Sequence, residues 1–247
     1  SLNGVRILEK GSCADCGRIT SRFEGDYARN SMLPARTAMN MKSKRNKSKR
    51  PTNFPIRLVT NGKEETINVP VDDHYPVIPL AEIGPSGRYP NQPHAFGLLH
   101  GQYRLTVVPV REQEHMQDLA VKYQADEMSV DFAIDVDGFL RMIAKIAYCT
   151  TVWSYGLHNI EERYVVPAIL GKSNDIWQWV GSDGNQEIYE EMKEMKTDHI
   201  VATWFTPEGE LRARVKLFKK ATTPEYEVIV GRLKPVVLGF YQSVGRR

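Results

Sequence analysis

Two cysteines stand two residues apart in GSCADCGRITSRFE, the stretch from Gly11 to Glu24 that contains Cys13 and Cys16. Thiolates at this spacing can share one Zn²⁺ at about 2.3 Å each, with the turn between them aiming backbone N–H groups at the sulfurs. A structural zinc takes four ligands, and the other cysteine, Cys149, lies more than a hundred residues away. Half a metal site is what the spacing offers. Redox chemistry is the rival reading and inert thiols a third. A redox pair sits between a strand and a helix of a βαβ unit, and no parallel-sheet pattern surrounds this one.

The second chemical feature is the run KSKRNKSKR, in which Lys42, Lys44, Arg45, Lys47, Lys49 and Arg50 alternate with Ser and Asn. No acidic residue occurs between Tyr27 and Lys63. Like charges without an apolar face cannot build a compact element, so the run is either a solvated loop or an arm that binds phosphates. Residues 1 to 63 carry 14 Lys+Arg against 4 Asp+Glu, a balance of +10, while residues 64 to 247 balance at −7. That asymmetry beside a cysteine knuckle favours nucleic-acid contact.

Other groupings have plainer readings. Asp131, Asp135 and Asp137 could ligate a divalent ion, yet Asp137 directly precedes a helical pattern and reads as its N-terminal residue. His74, His94 and His100 fall in a loop-like stretch without a partner in sight. Trp153, Trp177 and Trp179 read as packing residues, and Cys149 as a small buried hydrophobe.

The elements that would position these residues follow from periodicity. Ile19, Phe23 and Tyr27 recur at helical spacing, which predicts a helix over Arg18–Ala28 directly behind the knuckle. PIRLVT and EETINV flank Asn61-Gly62, the signature of a two-residue hairpin turn. Pro70 to His100 reads as loops of little rigid function, TVVPV as a short strand and EQEHMQDLAVKYQ as a short helix. From Asp137, FLRMIAKIAYCTTVWSYG lays Phe139, Ile143, Ala147 and Leu140, Ala144, Tyr148 on adjoining rows, a central core helix stopped at Gly156. YVVPAIL reads as broken by Pro167 and SNDIWQWVG as one capped turn. HIVATWF, ELRARVKLF and EYEVIVG alternate as a three-stranded antiparallel meander.

With 247 residues, 41% apolar and 26% charged, the composition is that of one large or two small domains. The longest apolar runs fall far short of the roughly 20 residues a membrane span needs. Three cysteines give no disulfide framework. No signal peptide is recognisable after Ser1, and the expected location is the cytoplasm, with no membrane partner.

LNGVRIL followed by SCADCGRITSRFE, then LPAR, KSKRPTNFP, LRMIAKIAY, VVPAILGKSNDIWQWVG and the final LFKK…YEVIVG together resemble a bacterial family of HNH endonuclease-like proteins. The likeness runs the whole chain. In that family a further cysteine pair and a Glu-His-Ile-Ile-Pro phrase stand directly before the segment similar to LNG. The resemblance therefore implies a ββα-metal finger whose first half, two zinc ligands plus the general-base His, lies upstream of Ser1. Cys13 and Cys16 would be the second pair of ligands to a structural Zn²⁺, and Asn3 the middle residue that orients the base. Gly17 stands where many HNH sequences carry His or Asn, and no third active-site residue is assigned.

The expected architecture is α+β: residues 1–41 as the second half of the finger with its helix, 42–51 as a basic arm, and 52–247 as an α+β domain with a central helix and an antiparallel meander. The expected function is metal-dependent phosphodiester hydrolysis by the complete protein, with Mg²⁺ or another divalent ion at the reacting phosphate. The present stretch would bind nucleic acid, DNA ahead of RNA, rather than cut it. The alternative is a non-catalytic nucleic-acid-binding or protein-interaction module on a finger-like fold.

Overall fold

The computed structural model describes residues 13–41, 50–91, 97–183, 198–218, 221 and 223–244. Along the chain run α1 (Ala14–Asp26), a π-helical turn (Tyr27–Ser31), α2 (Leu33–Ala38), β1 (Asn53–Thr60), β2 (Lys63–Pro70), β3 (Val77–Ile83) and β4 (Tyr103–Pro109). Then come α3 (Gln113–Lys122), β5 (Glu127–Ser129), α4 (Val136–Tyr155), β6 (Ile160–Glu162), α5 (Val166–Ile169), α6 (Ile176–Trp179) and β7 (Val180–Asp183). The chain closes with β8 (Ile200–Phe205), β9 (Glu210–Lys216), β10 (Glu225–Leu233) and α7 (Pro235–Val244). Helix and sheet are mixed, with antiparallel pairing throughout the registered ladders.

Two compact units divide the chain. The first gathers Gly25–Leu80 and Val107–Asp135; the second gathers residues 13–24, Ala81–Thr106 and Val136 onward. In the first unit β1 and β2 pair from Asn53↔Pro70 to Thr60↔Lys63. Asn61 and Gly62, at φ +52° and +72°, make the left-handed two-residue turn that matches the twist of the strands. Phe54, Ile56 and Leu58 alternate inward along β1, where Ile56, Leu58 and Val69 form the core under Ile67, Tyr123 and Met128. The short β5 pairs with the other edge of β1. Tyr27, buried, donates its hydroxyl to Pro79 O at 2.8 Å, and Ser31 donates to Ala133 O.

In the second unit α4 lies on a sheet ordered β6-β10-β9-β8, with β7 also paired to β10. Phe139, Leu140, Ile143, Ala144 and Ala147 are fully buried, and Gly156 at φ +82° ends the helix. The helix packs on β9 and β10, where Leu211, Ala213, Val215, Tyr226 and Val228 are buried. Phe139 meets Tyr226 edge-on at 5.5 Å. The opposite sheet face is ionic: Arg212 bridges Glu210 (2.9 Å) and Glu227 (2.8 Å), and Lys216 pairs with Glu225 (2.8 Å).

Several local expectations are corrected. The first helix starts at Ala14, not Arg18, because Cys13 itself caps it. β3 lies inside the stretch read as loops, and every one of its residues is buried. VIPLAEI gives no alternation to detect, since a strand buried on both faces reads as a continuous apolar run. Pro167 sits in the first turn of α5 instead of breaking it, where its missing N–H costs nothing. Cys149 is only half-buried, and Trp153 is half-exposed.

Candidate functional site

The knuckle is built by the N-terminus of α1. Cys13 O accepts the first helical hydrogen bond from Gly17 N at 2.9 Å. Its Sγ accepts the Cys16 amide at 3.3 Å, the bond that a serine or aspartate makes as an N-cap. Cys13 therefore does an N-cap's work with sulfur, at the end of the helix where the dipole favours a thiolate. The backbone N–H and the thiol of Cys16 hold the Cys13 thiol below its ordinary range. Donating to Cys13 pushes the Cys16 thiol up. Neither cysteine is in a disulfide, and Cys13 is exposed.

Helix α1 is fixed to α4 from its inner side. Lys145 donates to Thr20 Oγ1 at 2.9 Å and pairs with Glu24 at 2.6 Å, with both partners of that ion pair largely shielded from water. Phe23 is buried on the same side. The pair Asp15–Arg18 at 3.0 Å is exposed and adds little. The cysteines thus stand on the outer end of an anchored helix.

Two thiols at this spacing could supply half of zinc's four ligands. Among the described residues no three His, Cys, Asp or Glu side chains converge on one point. The three aspartates do not form a centre: Asp131 pairs with Arg57 at 2.6 Å, and Asp137 accepts Trp177 Nε1 at 2.7 Å. His74 is buried against Phe54, ring centroids 5.5 Å apart, and burial lowers its pKa. His100 Nδ1 faces Pro85 O at 3.2 Å.

Asn3, His94 and the basic residues Lys42, Lys44, Arg45, Lys47 and Lys49 lie outside the described residues. Arg50 lies within them. It donates Nη1 to Arg36 O at 3.5 Å and Nη2 to Met41 O, carbonyls at and just beyond the end of α2. Arg36, which sequence reasoning did not single out, donates Nη1 to Ala28 O at 2.9 Å. The available signal was the missing acid: no carboxylate within reach along the chain could neutralise an arginine in LPAR.

Compared with protein-family models, curated proteins and solved structures, the chain matches none. Among the described residues no helix is long and apolar enough to cross a membrane.

Proposed function

We propose that the protein binds nucleic acid through its basic N-terminal region, that Cys13 and Cys16 supply two ligands of a structural Zn²⁺, and that the complete protein is an HNH-type endonuclease. The observation that carries the metal reading is the helix-capping thiol pair, in which one sulfur already receives an amide N–H and both stand on the outer end of α1. Zinc bound there would tie the N-terminus of α1 to whatever supplies the other ligands. Asn3 keeps its proposed role of orienting a general base. No described residue is assigned a step in hydrolysis.

Zinc analysis of the full chain tests the metal reading. About one zinc per bound site is expected after equilibration and desalting, and Cys13→Ser or Cys16→Ser should release it, because thiolates carry zinc affinity that a hydroxyl does not. Full zinc retention in both variants would exclude the pair as ligands. A Mg²⁺-dependent cleavage assay separates the nuclease from the non-catalytic binding module.

A further inference from the structure

Arg36 precedes the basic run and Arg50 is its last cation, and bonds to backbone carbonyls hold both. Arg36 is tied to the π-helical turn through Ala28 O at 2.9 Å. Arg50 reaches back to Arg36 O at 3.5 Å and to Met41 O. α2, which carries Arg36, is itself fixed by the buried Met32 and Ala35. A guanidinium has five N–H donors. The bonds just named use one on Arg36 and two on Arg50, so both forks keep donors for a ligand.

No carboxylate among the described residues answers this pair, and none occurs in sequence from Tyr27 to Lys63. Arg29, by contrast, has Asp26 at 3.6 Å. Burial and the neighbouring Arg50 charge both push the Arg36 pKa down, so the site works against its own cation. Two like charges held by backbone bonds, with no carboxylate among the described residues beside them, suit an oxyanion as their counter-ion.

We propose that Arg36 and Arg50 form a preset seat for one backbone phosphate of a nucleic acid. The inference rests on the nucleic-acid reading above and adds a fixed element to it. The polyanion is favoured over a protein carboxylate because the intervening residues 42–49 bring five more cations between the two arginines in sequence and no acid. A phosphate held at the base supplies register, while contacts from lysines on long side chains supply counterion release.

Two measurements on the full chain test this. Thermal unfolding is followed as inorganic phosphate replaces chloride at constant ionic strength, and anisotropy of a labelled duplex of arbitrary sequence is followed against salt. Phosphate should raise the parent's Tm, as any ligand of the native state must, and Arg36→Gln or Arg50→Gln should each abolish that rise. On the duplex, each single substitution should flatten the salt slope by about 1, and the double by about 1 as well, because both arginines serve one phosphate. A phosphate response without duplex binding would support the seat and overturn the nucleic-acid reading. Duplex binding with the slope and the phosphate response unchanged in both variants would overturn the seat and leave the nucleic-acid reading. If the glutamine variants do not fold, Arg36→Lys keeps the charge and loses the fork. It should then need several-fold more phosphate for the same Tm rise, and an unchanged requirement would overturn the seat.

Discussion

At the scale of single residues, chemistry here is set by who donates to whom. Cys13 accepts from Cys16 twice over, and the two thiols are pushed in opposite directions, so they should not behave as equivalent ligands or nucleophiles. Burial lowers the pKa values of two other residues, His74 and His199. His199 Nδ1 also accepts the Phe218 amide at 3.1 Å, a bond available only to the neutral ring. A histidine whose folded pKa is depressed binds its proton more readily when unfolded, so stability is fully present above the unfolded value and is lost as pH falls below it. Urea midpoints should therefore drop between pH 7.5 and pH 5.5. His74→Phe, which keeps a ring against Phe54, should remove part of that drop; an unchanged pH dependence would exclude His74 as a contributor.

Elements differ in what they can tolerate. The β1–β2 turn needs a left-handed backbone at Gly62, and an added Cβ there would meet no atom within 4 Å. Gly62→Ala should thus cost only its backbone strain, about 1 kcal/mol, visible in urea unfolding. A much larger loss would mean that the hairpin is coupled to more than its own turn. The ionic face of the β9–β10 pair should be far more sensitive. Glu227 takes Arg212 at 2.8 Å and Arg214 at 3.4 Å, all three side chains being at least 86% shielded. Glu227→Gln leaves those cations under-compensated in low dielectric and should cost about 3 kcal/mol. Asp15→Asn, on the exposed pair with Arg18, should cost under about 1 kcal/mol. Equal effects of the two substitutions would remove the distinction drawn from burial.

For the whole molecule, the dominant feature is the separation of charge, +10 over residues 1 to 63 against −7 over the rest. Only the N-terminal side favours a polyanion, so affinity for nucleic acid should be strongly salt-dependent. If roughly 4 to 6 cations of the basic run meet phosphates, log K should fall against log salt with a slope near −4 to −5. Replacing Lys44, Arg45, Lys47 and Lys49 with Ala should flatten it by about 3 to 4 and weaken unrelated sequences equally. A quadruple variant that binds like the parent at low salt would take the run out of the interface and turn attention to a protein partner.

The sequence by itself determined the elements whose reasons are local. The Asn61-Gly62 hairpin, the core rows of α4 with Gly156 as its stop, and the β8–β9–β10 meander all follow from turn chemistry and from a period of 2 or 3.6, which need no knowledge of neighbours. The cysteine spacing and the acid-free basic region were legible in the same way. What only the tertiary structure decided depends on contacts distant in sequence. It set the burial of β3, the anchoring of α1 by Lys145, the interleaving of the two units along the chain, and the shielded ionic network on the sheet face opposite α4. Arg36 belongs to this second group. In sequence it is one arginine among many, and it becomes a candidate because folding ties Arg50 to its backbone carbonyl with no carboxylate beside them among the described residues. Local periodicity records which side of an element is apolar; it carries no record of which charged groups the fold will bring together.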